Sequence, residues 1–399
     1  MRRQEAEGRR QEIRLGQIAL CLLPTAFCLL FSSAAYSEEP TVRVAILQEA
    51  ESIRLTVPTA CRLADLQSGK TLASWSELKW QEVRPSSPGL RIGSAEIPSA
   101  AVVLEPAPGT VFRVNSLPYR GTLILRRTGK GRLRVINRLP LEEYLVGALT
   151  SEVSAGWPLE ALKAHAVVSR TMTAHRIWIR KGQEFDMTAD TSTHLYHGVS
   201  AEKARTRQAV EETRGQVLAY GGELFSATFH ANCGGHTENV AEIWSVKQRI
   251  PPLEGVEDPY CRNLKHYEWK RAIPEAEFLR MLGEEAAGIG PLREVAVTER
   301  NRSGRARAVR LRGDRGTLTL TGRQLREKLG ANRLRSLKFT VAVEPGKVLF
   351  KGFGWGHGVG LCQWGAFGMS HQDKGMQEIL SFYFPKSQRR ALKGLPGFG

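Results

Sequence analysis

The chain has 399 residues, 42% of them hydrophobic and 24% charged, which excludes a small stapled scaffold and a disordered chain and leaves room for two or three domains with a sizeable core. Lys and Arg number 57 against 40 Asp and Glu, a formal charge of +17, so the expected partner or medium is polyanionic: nucleic acid, an anionic membrane face or an acidic wall polymer.

Residues 1–37 set the compartment. Arg2, Arg3, Arg9, Arg10 and Arg14 precede an apolar centre running from Ile18 to Phe31, with Pro24 inside it. At about 1.5 Å per residue that run falls short of a hydrocarbon core of about 30 Å, so it reads as a signal peptide, with an uncleaved anchor as the alternative. The expected cut follows Ser37, with Ala35 and Ser37 as the small residues that the peptidase needs. Its removal leaves a charge of +15 on the exported protein. Export argues against nucleic acid and for the cell wall, in the periplasm or outside, with membrane contact only through the signal segment if it is retained. Cys61, Cys233, Cys261 and Cys362 remain, and in an oxidising compartment they point to disulfides, with three full pairings open, or to a metal site.

From residue 38 to about 137 the pattern is of short strands, VRVAIL, SIRLTV, CRLADL, VFRVN, GTLILRR and GRLRVIN, with Val42, Val44 and Ile46 on one face of the first. This is a small β-rich module without catalytic character. At Leu139 the period lengthens. Leu141, Tyr144, Leu145 and Ala148 share one face of a short helix, expected to end near Leu149. Pro158 then opens the longest helix, closed by Gly182, with a narrow stripe of Leu162, Ala166, Ser169 and Thr173. A hairpin follows around Gly221 and Gly222. Residues 263–345 read as an insertion, a helix (AEFLRML) and two strands (REVAVTERN, RARAVRLRG), with Arg305, Arg307 and Arg310 at solvent-facing positions of a solvated ribbon or a polyanion site. A segment with seven glycines between Gly352 and Gly368, a helix over 376–382 and a short basic tail, 386–399, complete the chain. The fold class is α+β, β-rich with a long central helix, preceded by a small all-β module.

Phosphate-loop, H-E-x-x-H and G-x-S-x-G motifs are absent, which removes several enzyme classes. Glu152 stands out in the expected connector between the two helices, beside Trp157, where an apolar wall would hold a carboxyl protonated as a general acid. Cys233 and His236, spaced C-x-x-H, suit a structural tetrahedral zinc, against the alternative of a Cys233–Cys261 disulfide. Trp355 and Trp364 offer flat faces on which sugar rings stack.

The run L-P-L-E-E-Y-L-V-G-A-L-T-S-E-V-S-A-G-W-P-L-E-A-L-K-A-H-A-V-V-S-R-T at 139–171 resembles the signature of the SpoIID/LytB domain family, also called the stage II sporulation protein D family. The blocks F-H-A-N-C-G-G-H-T-E-N at 229–239 and G-W-G-H-G-V-G-L-C-Q-W-G-A at 354–366 agree with it in order, and the resemblance covers about 138–385. It implies a lytic transglycosylase that cuts peptidoglycan glycan strands, preferring those stripped of stem peptides, with Glu152 as acid and base and no cofactor needed for the chemistry. It also implies substrate contact by the block that holds His357 and Gln363, and a zinc at Cys233 and a nearby His, while the flat rings of Trp157, Trp355 and Trp364 are expected to meet the sugars. The rival from a different class is a non-catalytic wall-binding protein that enhances an N-acetylmuramoyl-L-alanine amidase. One carboxyl suffices for a transglycosylase because the sugar's own C6 hydroxyl replaces water, whereas hydrolysis needs two. Asp190 is the leading candidate for a second carboxylate.

Overall fold

The computed structural model describes residues 39–190, 196–244, 246 and 248–398, so the expected signal segment lies outside the described residues. Strand β1 (Thr41–Ala50) lies in a seven-stranded sheet, antiparallel to the strand Leu133–Pro140 and parallel to the short strand Met187–Thr188. A six-stranded sheet formed between residues 53 and 119 packs against it, and Val42, Val44, Ile53, Leu55, Leu104, Leu123 and Val135 fill the space between them. The same core continues without a break into Leu141, Tyr144, Leu145 and Ala148. The architecture is α+β and β-rich, as the alternating and helical periods predict.

Helix α1 (Leu141–Glu152) buries the predicted face, and α2 (Leu159–Ile179) is the 21-residue central helix. Its burial differs from the narrow stripe read from the sequence. Every residue from Ala161 to Ala174 except Lys163 is buried, so α2 is enclosed on all sides. The reason is that it serves two cores. Leu162, Ala166, Met172 and Ala174 face the first, whereas Ala164, Val167 and Val168 face a second built with Leu218, Val359, Leu361, Ala366 and Phe384. Small side chains let backbone approach from both directions.

The hairpin at Gly221 and Gly222 forms as expected, both glycines at positive φ in a two-residue turn. Residues between Trp269 and Phe350 enclose a third core of their own, with two three-stranded sheets and the helices Glu275–Leu282 and Gly322–Leu329. Among the described residues no helix is long and apolar enough to cross a membrane.

Candidate active site

Glu152 is the last residue of α1. The helix runs three residues past Leu149 because the Val153 amide still donates to the Leu149 carbonyl, at 3.0 Å, and only Val153 turns to extended backbone. The carboxyl therefore stands on a helix end rather than in the connector. It lines a cavity of about 640 Å³ with Met172 and Arg176 of α2, Phe229 and His230, Trp244, and Trp355, Gly356, His357 and Gln363 of the glycine-rich segment. Among the described residues Glu152 is the one carboxyl on this lining.

The floor is set by a parallel pair of two-residue strands, Phe229–His230 and Leu361–Cys362. Gly356 crosses above them at φ +121°, and a Cβ there would stand 2.7 Å from the Cβ of His230, so glycine alone permits the approach. His230 Nδ1 lies 3.1 Å from the Val359 carbonyl oxygen and must carry the proton to donate to it. The opposite nitrogen, Nε2, is then an acceptor, buried and without a partner among the described residues. Burial, aided by His357 and the Arg305 cation, pushes His230 well below the usual imidazole range. His357 has the reverse polarity: its Nδ1 accepts from the Val359 amide at 3.0 Å, its Nε2–H donates to the Phe229 backbone, and burial brings its pKa down to about 4. One wall thus presents the acceptor nitrogen of neutral His230 beside a neutral His357 whose own N–H is taken up by backbone, the two rings 5.6 Å apart.

Gln363 is buried, and its amide nitrogen meets His165 Nε2 at 3.0 Å, while His165 Nδ1 meets Ser169 Oγ at 3.1 Å. Trp355 lines the cavity with Arg335 4.5 Å over its ring and His266 against its edge. Trp157 and Trp364 are not brought to the lining. They pack on each other at 5.1 Å and on Phe367, because the helix Gln363–Ser370 turns Trp364 away from Gln363. Met172, Phe229, Trp244 and Trp355 supply the apolar wall expected of Trp157. Asp190 is exposed, accepts a hydrogen bond from the Thr188 hydroxyl at 2.9 Å and is not on the lining.

Sequence reasoning missed Arg176, Phe229, His230 and Trp244 as lining residues. Met172 and Arg176, one helical turn apart, continue the α2 face beyond its small residues, and His230 was visible in F-H-A-N-C.

Cys233 is not paired with His236. Positive φ at Gly234 and Gly235 carries His236 away, where its backbone bridges Glu257 and its Nδ1 faces the Thr237 carbonyl. Cys233 instead meets Cys261, Cys362 and Asp258, whose ligand atoms all lie within 4.8 Å of one another. Cys61 belongs to the first core and these three to the second. Arg305, expected at the surface, is buried behind this cluster. Its guanidinium donates to the Cys233 carbonyl at 2.8 Å and the His236 carbonyl at 3.0 Å, and pairs with buried Glu238 at 3.7 Å. The turn at 301–304 folds the ribbon's start onto the glycine-rich segment, which strand alternation cannot foretell.

Known proteins share much of this sequence. The stage II sporulation protein model matches residues 129–220, and a domain of unknown function (DUF8618) matches residues 246–360. The chain is 30% identical to the stage II sporulation protein D of Bacillus amyloliquefaciens over 265 residues, 62% of this chain and 74% of that protein. It is 32% identical to an uncharacterised protein of Brachyspira hyodysenteriae over 297 residues, 74% of this chain and 78% of that one. With the amidase enhancer of Bacillus subtilis it shares 26% identity over 60% of its length but only 39% of that protein's. The three sequence blocks that surround the cavity and these similarities place the chain in the stage II sporulation protein D family.

Proposed function

We propose that the protein is an exported lytic transglycosylase that cleaves the glycan strands of peptidoglycan between N-acetylmuramoyl and N-acetylglucosaminyl residues. Membership of a family whose relatives are named for sporulation and for amidase enhancement supports a role at the cell wall outside the cytoplasm. The observation that carries the catalytic reading is Glu152, the one carboxyl among the described residues on a cavity lined also by aromatic, imidazole and amide groups and by the Arg176 guanidinium.

The size of the cavity, about 640 Å³, suits a small number of sugar rings. Glu152 stands at the C-terminal end of α1, with apolar Met172 and Phe229 and the Arg176 guanidinium on the same lining. Glu152 is then suited to protonate the glycosidic oxygen as it leaves C1 of the muramoyl residue. The resulting carboxylate takes the proton from that residue's C6 hydroxyl, whose oxygen bonds to C1 and closes a 1,6-anhydro ring. Water is not consumed and no second carboxyl is needed. His230 Nε2 as acceptor and the Gln363 amide supply neutral contacts for sugar hydroxyl and acetamido groups, with His357 holding the adjacent backbone. Trp244 and Trp355 supply stacking faces. Arg176 adds a guanidinium that suits the free lactyl carboxylate of a muramoyl residue without its stem peptide.

The amidase-enhancer relative favours a second reading, a wall protein that binds an amidase and cuts nothing. Product chemistry separates the two. Purified protein incubated with stripped glycan should release chains with 1,6-anhydromuramoyl ends in mass spectrometry, and intact glycan together with stimulation of an added amidase would favour the second.

A further inference from the structure

The cluster of Cys233, Cys261, Cys362 and Asp258 lies outside the cavity chemistry and is shut off from solvent, each residue 0% exposed. We propose that these four residues bind one zinc ion in a closed, structural S₃O site. The proposal is independent of the transglycosylase reading.

Geometry is the first argument. Cys233 Sγ lies 3.4 Å from Cys261 Sγ and 3.1 Å from Asp258 Oδ2, and every pair of ligand atoms is within 4.8 Å. A tetrahedral zinc with Zn–S of about 2.3 Å and Zn–O of about 2.0 Å has edges within that span. The second argument is charge. Asp258 is a buried carboxyl with no Lys, Arg or His ion pair among the described residues, and the neighbouring Arg305 cation is already paired with Glu238. Three thiolates and a carboxylate gathered in one dry space repel one another, whereas a divalent cation takes all four.

The surrounding groups are arranged as they are around metal-bound ligands. The Cys233 and Gly365 amides donate to Cys362 Sγ at 3.2 and 3.3 Å, the Tyr383 hydroxyl donates to Asp258 Oδ2 at 2.9 Å, and the Tyr260 amide donates to Asp258 Oδ1 at 2.8 Å. A Cβ on Gly365 would stand 1.9 Å from the Tyr383 hydroxyl and 2.4 Å from Asp258 Oδ2, so only glycine leaves room for the carboxyl and its donor. A disulfide explains less. It would use two of the three thiols and strand the third beside the carboxyl, with Cys61 in a different core and out of play.

All four positions come from the protein, which leaves no site for substrate and makes the metal a staple. It joins the segments at 233, 258–261 and 362, and His230 pairs in register with Cys362, next to Gln363. The staple therefore fixes the strands that carry His230 and Gln363 to the cavity.

The test is metal analysis of the full chain purified without chelator. About one zinc per chain is expected, together with three thiols that react only after denaturation with chelator. Cobalt exchanged for zinc should give an intense thiolate charge-transfer absorption. Asp258→Asn and Cys362→Ser should each lower zinc occupancy, while His236→Ala should keep it. The measurements on the unaltered chain decide, independently of whether the ligand variants fold. A Cys233–Cys261 disulfide in non-reducing peptide mapping, or folded protein that stays zinc-free after incubation with excess zinc, would overturn the site.

Discussion

Arg170 of α2 donates to Glu142 of α1 through two parallel hydrogen bonds, Nε to Oε1 at 2.8 Å and Nη2 to Oε2 at 2.7 Å, with both side chains buried. The remaining donors of the guanidinium reach the Val210 and Gln216 carbonyls at 3.1 Å, and the Gly215 amide completes Glu142 at 3.0 Å. The pair locks the helix that ends on Glu152 to the central helix, ten residues before the carboxyl. Removing Arg170 leaves a buried carboxylate without its partner, so Arg170→Leu should cost about 3–5 kcal/mol of stability. Urea unfolding of the variant measures this, and a loss under about 1 kcal/mol would mean that the pair contributes little.

Arg176 is the cation on the cavity lining among the described residues, and the proposed substrate carries a free carboxylate. Arg176→Gln should lower kcat/KM on peptide-free glycan by about 10- to 100-fold, the usual worth of a charge-assisted hydrogen bond. Turnover of glycan that retains its stem peptides should change little. Equal losses on both substrates would show that Arg176 supports the fold and not the choice of strand.

His165 is buried, and desolvation lowers its pKa to about 4 from an unperturbed value near 6.5. The folded state then resists a proton that the unfolded chain accepts. Its contribution is complete above about pH 6.5, falls as the pH drops toward 4, and levels off below that, a loss on the order of 3 kcal/mol. Stability of the parent against pH should show this decline together with those of buried His230 and His357, and His165→Gln should make it shallower by its own share. A His165→Gln protein with the parent's acid limb would assign the decline elsewhere.

Four exposed arginines of the ribbon are matched by carboxylates. Arg307 bonds to Glu242 and Glu299, Arg310 and Arg312 pair with Glu294, and Arg293 pairs with Asp314. Charges balanced over such distances produce little field beyond a Debye length of about 8 Å. Arg307→Ser combined with Arg310→Ser should therefore bind intact walls like the parent across a salt series. A clear loss of binding at low salt, absent at high salt, would identify the ribbon as a polyanion site.

Regular local patterns were the legible part of this fold. Val42, Val44, Leu123, Leu125, Val135 and Leu139 alternate as half-buried strands require, and the strands bearing them form where expected. The strand Leu78–Pro85 was not legible, because only Leu78 and Val83 of its eight residues are buried and no alternation can be read. Glu152 was found through its motif, and the aromatic wall was assigned to the wrong tryptophan since Trp157, Trp364 and Phe367 satisfy one another. The thiol and carboxyl cluster was out of reach for a different reason. Its members come from positions 233, 258, 261 and 362, and only the D-P-Y-C spacing is local.

The most direct measurement is product analysis with Glu152→Gln, which keeps the shape of the side chain and removes its titrating proton. On stripped glycan the parent should yield 1,6-anhydromuramoyl ends, and the variant, folded by circular dichroism, should form them about 10²- to 10⁴-fold more slowly. A folded Glu152→Gln protein that releases anhydro ends at the parent's rate would contradict the assignment of Glu152 as the acid and base.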